Sequence, residues 1–80
     1  MIKCLIFKNG MTLIGEVLEV GADVGDPDCQ IINPVKVTDE DLTRWPTVTD
    51  QRSIMVHSDS ILTIVDPNEK LLNNYKNLNS

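Results

Sequence analysis

Eighty residues with 41% hydrophobic content and a formal net charge of −5 describe one small folding domain, residues 1–80, and exclude a disordered chain. A chain this short buries only about 60% of the surface its unfolded form exposes, so a core of its own is marginal and association with further copies is the expected support. No apolar run approaches the ~20 residues that cross a bilayer. An acidic chain has no general attraction for phosphate backbones, so any nucleic-acid site has to be local.

The first strand is expected over residues 2–8, where Ile2-Lys3-Cys4-Leu5-Ile6-Phe7-Lys8 is rich in strand formers. Asn9-Gly10 follows and predicts a hairpin with a type I′ turn, because both residues accept positive φ. A second strand is expected over 12–20, with Gly15 inside it. A glycine there has no side chain to pack and marks a bend or bulge where a sheet curls. Residues 21–28 read as a turn-rich acidic loop.

A third strand is expected over 29–37 and is interrupted by Asn33-Pro34, so it is an edge or is bulged there. The polar stretch 38–50 contains Thr38-Asp39-Glu40-Asp41, suited to capping one helical turn, and Trp45-Pro46. Strands over 52–57 and 61–65 follow, joined by Ser58-Asp59-Ser60. The period then changes. Asp66 as N-cap, Pro67 at the first helical position and Glu69 beyond it precede Leu71, Leu72, Tyr75 and Leu78 at helical spacing, which predicts a helix over 67–78.

The fold class is therefore mainly β. Five short strands in 65 residues are too few for a two-layer sandwich. They suit a small, strongly bent antiparallel barrel, with the C-terminal α-helix covering one open end or side.

The order of these signals resembles the Sm-like family of small ring-forming RNA-binding proteins (LSm and Hfq-type), whose barrel is SH3-like. Phe7-Lys8-Asn9-Gly10, then Gly15, then a run ending near Val20, is similar to the family's first motif. Val56-His57-Ser58-Asp59-Ser60-Ile61-Leu62-Thr63-Ile64 is similar to the second, with His57-Ser58 where the family has Arg-Gly. Together these cover about 25 positions. The helix lies at the C-terminus rather than the N-terminus, and the segment 28–33 lacks the family's stacking aromatic. The resemblance implies a homo-oligomeric ring in which the fourth strand of one copy pairs with the fifth of the next. That arrangement would also remove two exposed edges.

It further implies a single-stranded RNA or DNA site near the pore, lined by the 28–33 and 57–60 segments. His57 is the stacking candidate, Asn33 and Gln30 are candidates for base edges, and Ser58, Asp59 and Lys36 complete the set. Lys3, Lys8 and Arg52 are further phosphate candidates, each equally readable as solvated surface. Trp45 reads as a stacking platform, an interface anchor or a packing residue.

Asp23, Asp26 and Asp28 lack the spacing of a known calcium loop, and two distant cysteines with one histidine do not make a zinc site. No metal or cofactor is expected. Without a leader pattern, Cys4 and Cys29 read as reduced thiols of a cytoplasmic protein. His57 has no evident nucleophile or orienting partner, so an enzyme is not expected. Two functions stay open: a ring that binds single-stranded nucleic acid, and a structural or protein-binding barrel whose acidic surface meets a partner.

Overall fold

The computed structural model describes residues 1–21, 23–39 and 41–78. Strands β1 (Ile2–Phe7), β2 (Thr12–Glu19), β3 (Cys29–Thr38), β4 (Asp41–Arg44), β5 (Ser53–Val56) and β6 (Ile61–Val65) form one antiparallel sheet. A 3₁₀ turn, Ser58–Ser60, joins β5 to β6, and helix α1 (Glu69–Leu78) follows. The strand order is β4-β3-β2-β1-β6, with β5 pairing β3 beyond β4. Among the described residues six strands are present where five are expected, because the polar stretch after β3 forms a hairpin instead of a capped helical turn. Thr38 ends β3, Asp39 turns the chain at φ 53°, and Asp41 pairs back onto Thr38. Glu40, part of the expected cap, lies outside the described residues.

The first hairpin is tight but is not the type I′ turn expected. Only Gly10 has positive φ (91°), Gly10 N–H donates to the Phe7 carbonyl at 2.9 Å, and Phe7 N–H donates to the Met11 carbonyl at 2.8 Å. This is a three-residue loop closed by a glycine bulge, and the Asn9 side chain accepts the Met11 N–H at 2.9 Å.

Two backbone devices curl the sheet. A β-carbon on Gly15 would lie 2.7 Å from Ile31 Cγ2 and 3.0 Å from the Ile32 carbonyl oxygen, so β2 and β3 approach as only glycine allows. Opposite it, β3 takes one extra residue: Ile14 pairs with Val35 while Glu16 pairs with Ile32. Asn33 absorbs the bulge at φ 53°, and Pro34 follows. The strand is thus bulged, and it is central in the sheet rather than an edge.

The bulge also exchanges faces. Ile31 and Val35 are an even number of residues apart, yet they enter different cores. The first core gathers Leu5, Phe7, Leu13, Cys29, Ile31 and Ile54, with Trp45, Val56 and Ile61 against it. Residues of β1, β2, β3, β5 and β6 therefore wrap one cluster. The second core packs Cys4, Ile14 and Val35 under Tyr75 and Leu71 of the helix. Burying side chains of this size stabilises each by about 1.5–3 kcal/mol relative to exposure.

The helix starts later than expected. Asn68, not Asp66, caps it: the Asn68 side chain accepts the Leu71 N–H at 2.8 Å. Asp66 instead pairs with Lys3 of β1. Tyr75 carries the helix onto the bulge, where its hydroxyl donates to the Asn33 carbonyl at 2.8 Å.

The sheet curls without closing. Among the described residues, β5 pairs only with β3 and β6 only with β1, so a ladder between β5 and β6 does not complete the expected barrel.

Candidate partner site and assembly edges

Ser58 and Asp28 meet where β3 begins and β5 ends, because Cys29 and Val56 are register partners. One Asp28 carboxylate oxygen accepts the Ser58 N–H at 2.9 Å, and the other accepts the Ser58 hydroxyl at 2.8 Å. The backbone and side-chain hydrogen bonds from Ser58 hold the Asp28 carboxyl below its ordinary pKa, and the nearby His57 adds to this. The 3₁₀ turn is closed by His57, whose carbonyl accepts the Ser60 N–H at 3.1 Å and the Ser60 hydroxyl at 2.7 Å. From the other side, Lys8 N–H donates to the Ser60 carbonyl at 2.9 Å and ties the turn to the end of β1.

One wall of this clasp faces a cleft of about 310 Å³, bounded by His57, Ser58 and Asp59 and by the loop from Asp23 to Asp28. A turn shapes that loop, with Asp26 N–H donating to the Asp23 carbonyl at 3.0 Å and Gly25 at φ 93°. Among the described residues, four carboxylates (Asp23, Asp26, Asp28 and Asp59) face one imidazole, and neither lysine nor arginine lines the cleft. Such a wall attracts cations and hydrogen-bond donors and repels phosphate. Among the described residues, no group of three or more His, Cys, Asp or Glu is placed to hold a metal ion.

The other wall faces a shallow groove of about 290 Å³, lined chiefly by Val17, Val20, Cys29, Ile61 and Ile64. Ile64 shares a sheet face with its register partner Leu5, which is fully buried, yet Ile64 is 46% exposed because β5 does not close over it. Leu62 is 67% exposed, and Val65 and Met55 are also exposed. Strands β5 (Ser-Ile-Met-Val) and β6 (Ile-Leu-Thr-Ile-Val) carry no charge, whereas the edge strand β4 carries Asp41 and Arg44.

Of the six nucleic-acid candidates, the structure brings together His57, Ser58 and Asp59. Gln30 points elsewhere: its amide donates to the Ser53 hydroxyl at 2.6 Å. Asn33 is engaged at the bulge, its N–H donating to the Arg52 carbonyl at 2.6 Å while its own carbonyl serves Tyr75. Lys36 lies near the far end of β3, opposite Leu13 and Thr43. Trp45 is half-buried against the first core. From the sequence Asp23, Asp26 and Asp28 belong to a turn-rich acidic loop, and the partnership of Asp28 with Ser58 is not evident. The signal for it is positional: Asp28 immediately precedes β3 and Ser58 follows β5, so once those strands pair the two must meet.

Among the described residues, no helix is long and apolar enough to cross a membrane. Burial raises the pKa of both thiols; Asp66 adds to this at Cys4, and Asp28 and Glu19 add to it at Cys29. No curated protein sequence matches the chain significantly. A family model spans all of residues 1–80, and the chain belongs to that family, DUF6561, a family of unknown function.

Proposed function

We propose that this chain is a non-catalytic assembly module of Sm-like design, in which the β5 edge of one copy pairs with the β6 edge of the next. The observation that carries the reading is the pair of uncharged strand edges bearing Met55, Leu62, Ile64 and Val65 in solvent. Natural proteins blunt edges that must stay single with charge, as on β4 here; bare apolar edges of matched length call for a partner strand. Four and five residues face each other across such a junction. The marginal core of an 80-residue chain gives the same expectation independently. A reducing compartment such as the cytoplasm suits two free buried thiols.

Light scattering on the purified chain tests this. A mass of several subunits is expected, falling to that of one in Ile64→Glu with the Trp45 emission unchanged. A monomer at all accessible concentrations would overturn it.

A second reading, binding of single-stranded nucleic acid, draws support from the Asp28–Ser58 contact, which joins the 28–33 and 57–60 segments expected at a pore. The carboxylates around His57 favour contacts to base edges over contacts to phosphate. Titration with fluorescent oligo-U, oligo-A and single-stranded DNA at two salt concentrations decides it. Binding weakened in His57→Ala supports the reading. Indifference to every oligonucleotide would leave a protein as the partner that the acidic surface receives.

A further inference from the structure

We propose that the Asp28–Ser58 clasp fixes the angle between the β5 and β6 edges and thereby sets how many copies close the assembly. The inference rests on the edge-to-edge reading above and adds its determinant. In a head-to-tail assembly, the rotation from one copy to the next is the angle between the two edges that each copy offers. Closure follows only if that rotation divides a full turn.

In this fold β5 hangs from β3 and β6 hangs from β1, and no ladder joins β5 to β6 among the described residues. Their relative direction is set by the ladders that run from β5 through β3, β2 and β1 to β6, and by the short connection at 57–60 that joins the two strands directly. Two ties hold that connection. Lys8 N–H to the Ser60 carbonyl binds its far end to β1. The Asp28 carboxylate binds its near end to the root of β3, through both the N–H and the hydroxyl of Ser58. Loss of the second tie leaves β5 and β6 joined at this end through the ladders of β3, β2 and β1 and the tie at Ser60, so that the curl between them can relax.

The clasp is also the shared wall of the cleft and the groove. The titratable groups around Asp28 are His57 and Asp59 of the turn, Asp23 and Asp26 of its own loop, and Glu19 and Cys29 on the groove side.

Native mass spectrometry and light scattering on the full chain at neutral pH test the proposal. The parent is expected to show one subunit number. Asp28→Ala, which removes both bonds, is expected to show a shifted or mixed set of subunit numbers, with Trp45 emission native. Ser58→Ala, which keeps the backbone bond, should fall between the two, and Glu19→Gln should match the parent. An unchanged single mass in Asp28→Ala with a multimeric parent overturns this inference and leaves edge pairing standing. A monomeric parent overturns both. Should Asp28→Ala lose the native Trp45 emission, Ser58→Ala decides by the same criterion.

Discussion

Gly15 of β2 stands against Ile31 of β3 with no room between them for a β-carbon, which would lie 2.7 Å from Ile31 Cγ2. The Ile32 carbonyl oxygen is 3.0 Å from the same point, so the obstruction includes backbone that cannot rotate away. Gly15→Ala is therefore expected to destabilise the fold by about 1–3 kcal/mol, the range for overpacking a filled core. Urea unfolding followed by Trp45 fluorescence measures it, and a neutral result would mean that the curl does not depend on this approach.

Tyr75 holds the helix to the sheet by two separable means, its ring in the second core and its hydroxyl on the Asn33 carbonyl. Tyr75→Phe keeps the ring and should cost about 0.5–1.5 kcal/mol. Tyr75→Ala loses both and should cost about 3–5 kcal/mol, as for other large aromatic truncations. Thermal unfolding of the two variants side by side distinguishes the contributions; equal losses would place all of the stabilisation in the hydroxyl.

Both cysteines are buried, Cys4 at 5% and Cys29 at 4% exposure, and burial holds both thiols above the ordinary value. In the unfolded chain each thiol ionises at its ordinary value of 9.0, before the folded one does, so stability should be full below that pH and decline above it. Reaction with a thiol-specific chromogenic disulfide at pH 8 should be slow in buffer and fast in urea. Fast labelling of Cys29 in buffer would mean that the groove opens to its floor.

Asp28 moves in the opposite direction. Its folded pKa is depressed below the ordinary 3.8 by the Ser58 hydrogen bonds, so the clasp's contribution is complete above the unfolded value and disappears as pH falls through the folded one. The Ser58 amide resonance reports this directly. Its acid titration should have a midpoint below 3.8, and Ser58→Ala should raise the Asp28 midpoint toward that value. A midpoint at or above 3.8 in the parent would mean that the clasp does not persist in solution.

Period and turn chemistry made much of this fold legible. Alternating apolar runs located β1, β2, β3, β5 and β6 to within a residue or two, and the switch to helical spacing located α1. Gly15 and Asn33-Pro34 announced the bend and the bulge because each is a backbone requirement written in residue type. β4 stayed hidden because Asp-Leu-Thr-Arg has little strand character of its own; a tight turn at Asp39 folds it onto a strand already in place. The type I′ expectation failed at Asn9 because the loop closed with a glycine bulge instead. At the site, the contiguous residues His57, Ser58 and Asp59 were readable together. The loop from Asp23 to Asp28 was not, since its place beside them depends on β3 and β5, strands far apart in the chain, pairing from Cys29 with Val56 to Ile32 with Ser53.

β4 and β5 are successive stretches of chain laid along the same neighbour, β3, with residues 45–52 looping out between them. Each stretch has its own ladder, so the register of one does not depend on the length of the loop that leads to the other. Val48 near the tip of that loop is 91% exposed, while Trp45 at its base is anchored in the first core. Lengthening such a loop costs only about 0.6 kcal/mol per doubling. The fold thus contains a ready graft point: a peptide or reporter sequence inserted beside the exposed Val48 would be displayed once per copy around whatever assembly the β5 and β6 edges build.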